Sequence, residues 1–173
     1  MDDQGRGVRR TGLGMMLLFW LLVLAMGSWW FQGVLDERRN PNAGLVHMTE
    51  GDEPVTLTRN ASGHFVATGR INGEPVEFLL DTGATYIAVS NDLAEQLALE
   101  AGRTASFQTA NGRVDGFITE LDRVSLGGLT ARQVRGSINP GMEGDRALLG
   151  MSFLNRFDIQ ISGDRMVLSR PEP

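Results

Sequence analysis

The chain has 173 residues, a formal net charge of −5, sixteen Arg, no Lys, no Cys and only two His. These counts exclude disulfides, thiolate nucleophiles, Cys-ligated zinc and a catalytic Lys, and they leave little from which to build a His-rich metal site or a Ser-His-Asp triad. No metal or other cofactor is expected, and the acidic balance, with no basic cluster in the globular part, argues against a nucleic-acid partner.

In chain order, residues 1–12 carry Arg6, Arg9 and Arg10 and precede an uncharged apolar run over residues 13–31. As a helix that run reaches roughly 28 Å, close to the thickness of a bilayer core. Trp29, Trp30 and Phe31 stand where an interfacial aromatic belt would be. A cleaved signal peptide ending at Ala25-Met26-Gly27 is the competing reading. The run is longer than a signal core and continues past that site, which favours an uncleaved transmembrane anchor. Arg38 and Arg39 follow beside Asp36 and Glu37, so the bias in basic residues places the N-terminus in the cytoplasm and exports the rest. Residues 32–54 are polar and rich in turn formers, with Asn40-Pro41-Asn42-Ala43-Gly44 and Glu50-Gly51-Asp52-Glu53-Pro54, and read as a flexible linker carrying a solvated His47.

Residues 55–173 read as one domain of β-structure. Asn72-Gly73 is a type I′ hairpin signal between a strand at 64–71, with His64 on its flank, and a return strand at 76–80 that ends at Asp81. A strand at 86–89 precedes a short helix capped by Ser90 or Asp92. A second hairpin turns at Asn111-Gly112, a third at Gly127-Gly128, and Ala147-Leu148-Leu149-Gly150 runs as a short apolar strand into one helical turn. Two strands around Ser162-Gly163-Asp164 close the chain. About nine short strands without a βαβ rhythm predict an all-β barrel with one or two short helices.

The stretch Phe78-Leu79-Leu80-Asp81-Thr82-Gly83-Ala84 delivers a carboxylate from an apolar strand into a Thr-Gly turn. Carboxylates avoid such places unless something there pairs with them or uses them. By itself this is an ordinary Asx turn. Joined to the later Leu148-Leu149-Gly150 and to the hairpin between them, it resembles the retropepsin-like aspartic proteases, in particular their membrane-anchored bacterial branch. The resemblance spans residues 55 to 170. It implies a single-lobe acid-protease barrel and an aspartic endopeptidase, with Asp81 as the catalytic carboxylate. Thr82, Gly83 and Ala84 would support the loop: Thr82 across a dimer interface, Gly83 by giving its amide to Asp81, and Ala84 by packing beneath. Leu148, Leu149 and Gly150 would form the strand that interlocks with it, and Thr109, Ala110, Asn111 and Gly112 a flap over the substrate.

One Asp-Thr-Gly per chain implies a homodimer in which Asp81 meets its symmetry mate. Two carboxylates about 3 Å apart at an effective dielectric of about 20 repel by roughly 5 kcal/mol when both are ionised. Such a pair therefore keeps one proton and can hold a water between an acid and a base. The expected partners are a second copy, a protein or peptide substrate, and a membrane. The expected location is a bacterial inner membrane with a periplasmic catalytic domain. Viral members carry Asp after Asp-Thr-Gly-Ala and Arg after the late Gly, where this chain has Thr85 and Met151. The alternative reading is a non-catalytic binding or dimerisation module on the same fold.

Overall fold

The computed structural model describes residues 4–109 and 112–171. The chain divides into two units, one ending at Glu37 and one beginning at Arg38. The α-helix α1 (Gln4–Arg39) begins in the first unit and ends in the second, and among the described residues it contains one stretch, Gly14–Arg39, long and apolar enough to cross a membrane. Its Trp29, Trp30 and Phe31 side chains are exposed.

Among its described residues the second unit holds ten strands and two short α-helices: β1 (Val55–Thr58), β2 (Val66–Ile71), β3 (Glu74–Leu80), β4 (Ile87–Val89), α2 (Asn91–Gln96), β5 (Thr104–Thr109), β6 (Gly112–Leu126), β7 (Leu129–Ile138), β8 (Arg146–Leu149), α3 (Met151–Leu154), β9 (Asp158–Ser162) and β10 (Arg165–Ser169). Seven strands run in the order β2-β3-β8-β4-β7-β6-β5. A further pairing of β2 with β6, at Arg70↔Ser125 and Ile71↔Val124, joins the two ends of the β2-to-β6 run into a barrel and leaves β5 as an appended strand. Gly69 permits that closure. A Cβ there would stand 2.3 Å from the Ser125 carbonyl oxygen and 2.8 Å from the Phe78 ring. The inner face is apolar, with Ile71, Phe78, Ile87, Leu121, Leu126, Leu149 and Phe153 inaccessible to solvent. The remaining strands form a separate antiparallel sheet, β1-β10-β9.

Local chemistry accounts for the turns. Asn72 (φ 51°) and Gly73 (φ 94°) both take the left-handed conformation that a type I′ turn demands. Ser90 is the cap of α2, its Oγ accepting from the Leu93 N–H at 3.1 Å. Two expectations need correction. The second and third hairpins, expected to have separate strands at 113–117 and 118–126, share a single 15-residue strand, β6, whose first half pairs with β5 and whose second half pairs with β7. No turn former interrupts Phe117-Ile118-Thr119. Gly116 brings the strand so close to β7 that a Cβ would lie 2.4 Å from the Ile138 carbonyl oxygen.

The second correction concerns residues 32–54, expected as a flexible linker. They are helical through Arg39, and Ala43–His47 forms a 3-10 turn. Between these, Asn40 and Asn42 are each only 7% exposed. The Asn42 side-chain amide donates to the Thr58 carbonyl (2.8 Å) and the Val66 carbonyl (2.7 Å), and its oxygen accepts from the Thr58 N–H (2.8 Å). Thr58 ends β1 and Val66 begins β2, so this one side chain staples the small sheet to the barrel. The Asn40 amide donates to Thr68 Oγ1 and Glu77, and Glu77 also pairs with Arg39 and Arg146. Residues 38–47 are thus part of the folded unit. His47 and His64 are both exposed.

Candidate active site

Strand β3 is apolar on the face it buries, and it ends where Asp81 leaves the sheet. It runs parallel to β8, with Leu79 opposite Leu148 and Leu80 opposite Leu149. The Asp81 N–H continues that ladder to the Leu149 carbonyl at 3.1 Å. Strand β8 has β4 on its other side, through Ala88↔Leu148. The 81–86 loop therefore leaves one neighbour of β8 and returns as the other, wrapping the strand.

Within the loop the Gly83 N–H donates to Asp81 Oδ1 at 2.8 Å, and the Ala84 N–H donates to the Asp81 carbonyl at 3.2 Å. A Cβ on Gly83 would approach Asp81 Oδ1 to 3.1 Å. Asp81 and Ala84 are half-buried, and Thr82 and Gly83 are exposed. The carboxylate is thus held from one side by a backbone amide on a loop that faces outward.

Gly150 locks the loop to helix α3. A Cβ there would lie 2.3 Å from the Tyr86 carbonyl oxygen and 2.6 Å from that of Ala84. Its φ of −91° is open to any residue, so space and not conformation demands glycine here. The close approach lets the Met151 N–H reach the Ala84 carbonyl (2.8 Å) and the Ser152 N–H reach the Thr85 carbonyl (2.9 Å). Ser152 Oγ, in addition, accepts from the Ile87 N–H (3.1 Å) and donates to the Arg135 carbonyl (2.7 Å). Backbone contacts therefore join the two segments at the place where viral relatives are expected to use an Asp–Arg pair.

The hairpin expected as a flap is built from β5 and the start of β6, with Thr109 opposite Gly112. Ala110 and Asn111, named for its tip, lie outside the described residues. Gly112 has φ 109°, a turn conformation suited to glycine. Phe107 on β5 meets Tyr86 edge-on, with ring centroids 6.3 Å apart, which ties the hairpin to the end of the Asp81 loop. Sequence reasoning does not single out Tyr86 or Ser152. It does reach their neighbours in the chain, Thr85 and Met151, and the signal for Ser152 is its place two residues after Gly150.

The match to known proteins accords with this geometry. Residues 67–156, just over half of the chain, match the family described as "gag-polyprotein putative aspartyl protease". The chain belongs to the retropepsin-like aspartyl protease family. A Sinorhizobium sp. protein, described as an uncharacterized protein in the cobV 5′ region, is 32% identical over 130 residues, covering 73% of this chain and 56% of its own length. An uncharacterized protein of Rickettsia prowazekii (strain Madrid E) is 30% identical over 119 residues, covering 66% of this chain and 51% of its own. The chain spans about half the length of the curated relatives it matches. The crystal structure of a retropepsin-like aspartic protease from Rickettsia conorii superposes with a TM-score of 0.58 at 31% identity, over 68% of this chain and 91% of that one. The barrel is accordingly a retropepsin-like fold, mostly β with few short helices, preceded by a long apolar helix.

Proposed function

We propose that this family member is an aspartic endopeptidase that works as a homodimer, with Asp81 of each chain forming the water-activating pair. The observation that carries the reading is the setting of Asp81: one carboxylate per Asp-Thr-Gly loop, held by the Gly83 amide on an exposed turn and braced by β8 and Gly150. A single loop offers one carboxyl group, and hydrolysis needs an acid and a base together. A two-fold axis beside Thr82 supplies the second. The ionised carboxylate takes a proton from the bound water as its oxygen attacks the peptide carbonyl. The protonated partner gives its proton to the carbonyl oxygen. The resulting gem-diol then collapses: one of its hydroxyls returns a proton to the partner carboxylate, the C–N bond breaks, and the proton held by the first carboxylate passes to the leaving amine, which restores the singly protonated pair.

The substrate is a protein or peptide held extended under the β5–β6 hairpin, with Thr109 to Gly112 at the covering edge. Helix α1 anchors the enzyme in the bacterial inner membrane, with residues 1–12 cytoplasmic and the catalytic unit periplasmic. Confinement to two dimensions raises the encounter rate of chains and favours pairing. The test uses the full chain in detergent micelles. Asp81→Asn should lower peptide cleavage by about 10²–10⁴-fold, the range expected for loss of acid–base catalysis, without changing the melting temperature. Thr82→Cys, the only thiol in that variant, should oxidise to a covalent dimer. Full activity in the Asn variant would sink the proposal.

A further inference from the structure

We infer that the hollow flanking the Asp81 loop is a carboxylate-selecting subsite, which takes an acidic side chain of the substrate a few residues from the scissile bond. The inference rests on the endopeptidase reading and adds the substrate chemistry to it. The hollow has a volume of about 410 Å³, and its lining includes Thr85, Tyr86, Arg135, Met151, Ser152 and Arg156. It contains two guanidinium groups and no carboxylate. Among the described residues neither Arg135 nor Arg156 has an ion pair within 4.0 Å. Glu120 stands opposite Arg135 in the β6–β7 register without forming one.

Arg156 is fixed in place, donating to the Arg132 carbonyl (2.7 Å) and the Gln133 carbonyl (3.0 Å). Both acceptors are neutral, so among the described residues its charge has no paired carboxylate. Between them Gln133 has φ 49° in the middle of β7. A non-glycine residue in that conformation is strained, and such strain concentrates at functional sites. Arg135 is held through its carbonyl by Ser152 Oγ while its side chain remains exposed.

The location fits a substrate subsite. Thr85 is four residues beyond Asp81, and its carbonyl bonds to Ser152, so the hollow is floored by the same backbone unit that presents the carboxylate. Tyr86, on its edge, touches the β5–β6 hairpin through Phe107. Four residues of chain reach at most about 14 Å. An extended substrate advances about 3.3 Å per residue, so a side chain two to four residues from the cut bond has the required reach. Two arginines lining one hollow suit a carboxylate, through charge-assisted hydrogen bonds.

The test is cleavage by the full chain in detergent micelles of peptide sets that differ only by Glu or Gln at each of the four positions on either side of the cut. At one position Glu should raise kcat/KM about tenfold over Gln, the scale of one charge-assisted hydrogen bond. The gain should lie mainly in KM and shrink with added salt. Arg135→Glu should reverse the preference toward a basic residue there, and Arg135→Lys should retain part of it, with unchanged melting temperatures. Cleavage by the wild type without an acid preference, or with a preference that Arg135→Glu does not alter, overturns the subsite and leaves the endopeptidase standing. A wild type that cuts no member of the sets overturns both.

Discussion

Replacing Asn42 by Ala should destabilise the whole folded unit, although Asn42 lies in a stretch that reads as linker. The substitution removes two donated bonds, to the Thr58 and Val66 carbonyls, and one accepted bond from the Thr58 N–H, all between 2.7 and 2.8 Å. At about 0.5–1.5 kcal/mol for each bond, the sum is near 3 kcal/mol. The site is 7% exposed, so water cannot simply take the place of the amide, and the orphaned groups push the cost toward the upper end. The unit from Arg38 onward holds about 135 residues. Its unfolding entropy is then about 0.3 kcal/mol per degree, so the melting temperature should fall by about 10 °C. The assay is thermal unfolding of the full chain in detergent, monitored by near-ultraviolet circular dichroism. Asn42→Asp should do at least as badly, because a carboxylate keeps the acceptor but turns its other oxygen on two carbonyls. A chain cut to begin at Val55 should show the same loss or a larger one. An Asn42→Ala variant melting within about 2 °C of the wild type would refute the staple.

Two further outcomes rest on packing. Gly150→Ala should fail to accumulate as folded protein or melt well below the wild type in the same assay, because its methyl would meet two backbone carbonyl oxygens that have no rotamer to yield. Phe107→Ala should remove the aromatic pair, worth about 0.5–1.5 kcal/mol beyond the area it buries. By loosening the β5–β6 hairpin from Tyr86, it should also raise KM in peptide cleavage several-fold with a smaller change in kcat.

Much of the site was legible because its chemistry is local. Gly83 gives its amide to Asp81 within three residues of chain, and Asn72-Gly73 sets its own turn by backbone conformation. Ser90 caps α2 three residues on. What escaped were contacts between residues far apart. Asn40-Pro41-Asn42 has the composition of a loop, since Asn and Pro are turn formers. That the Asn42 amide would be buried between the ends of β1 and β2 depends on where those strands lie. Arg135 and Arg156 look like any surface arginines until β7 and the turn after α3 bring them to one hollow.

The amino-acid order alone determined the apolar helix, the hairpin turns and the acid-bearing loop, because each depends on patterning and backbone preference over a few neighbouring positions. Only the tertiary structure decided that the barrel closes at Gly69, that β8 is wrapped by the loop through Gly150, and that the segment after the helix belongs to the folded unit. Those outcomes turn on the space left between strands distant in the chain, and on which buried polar groups find partners there. No local pattern encodes either.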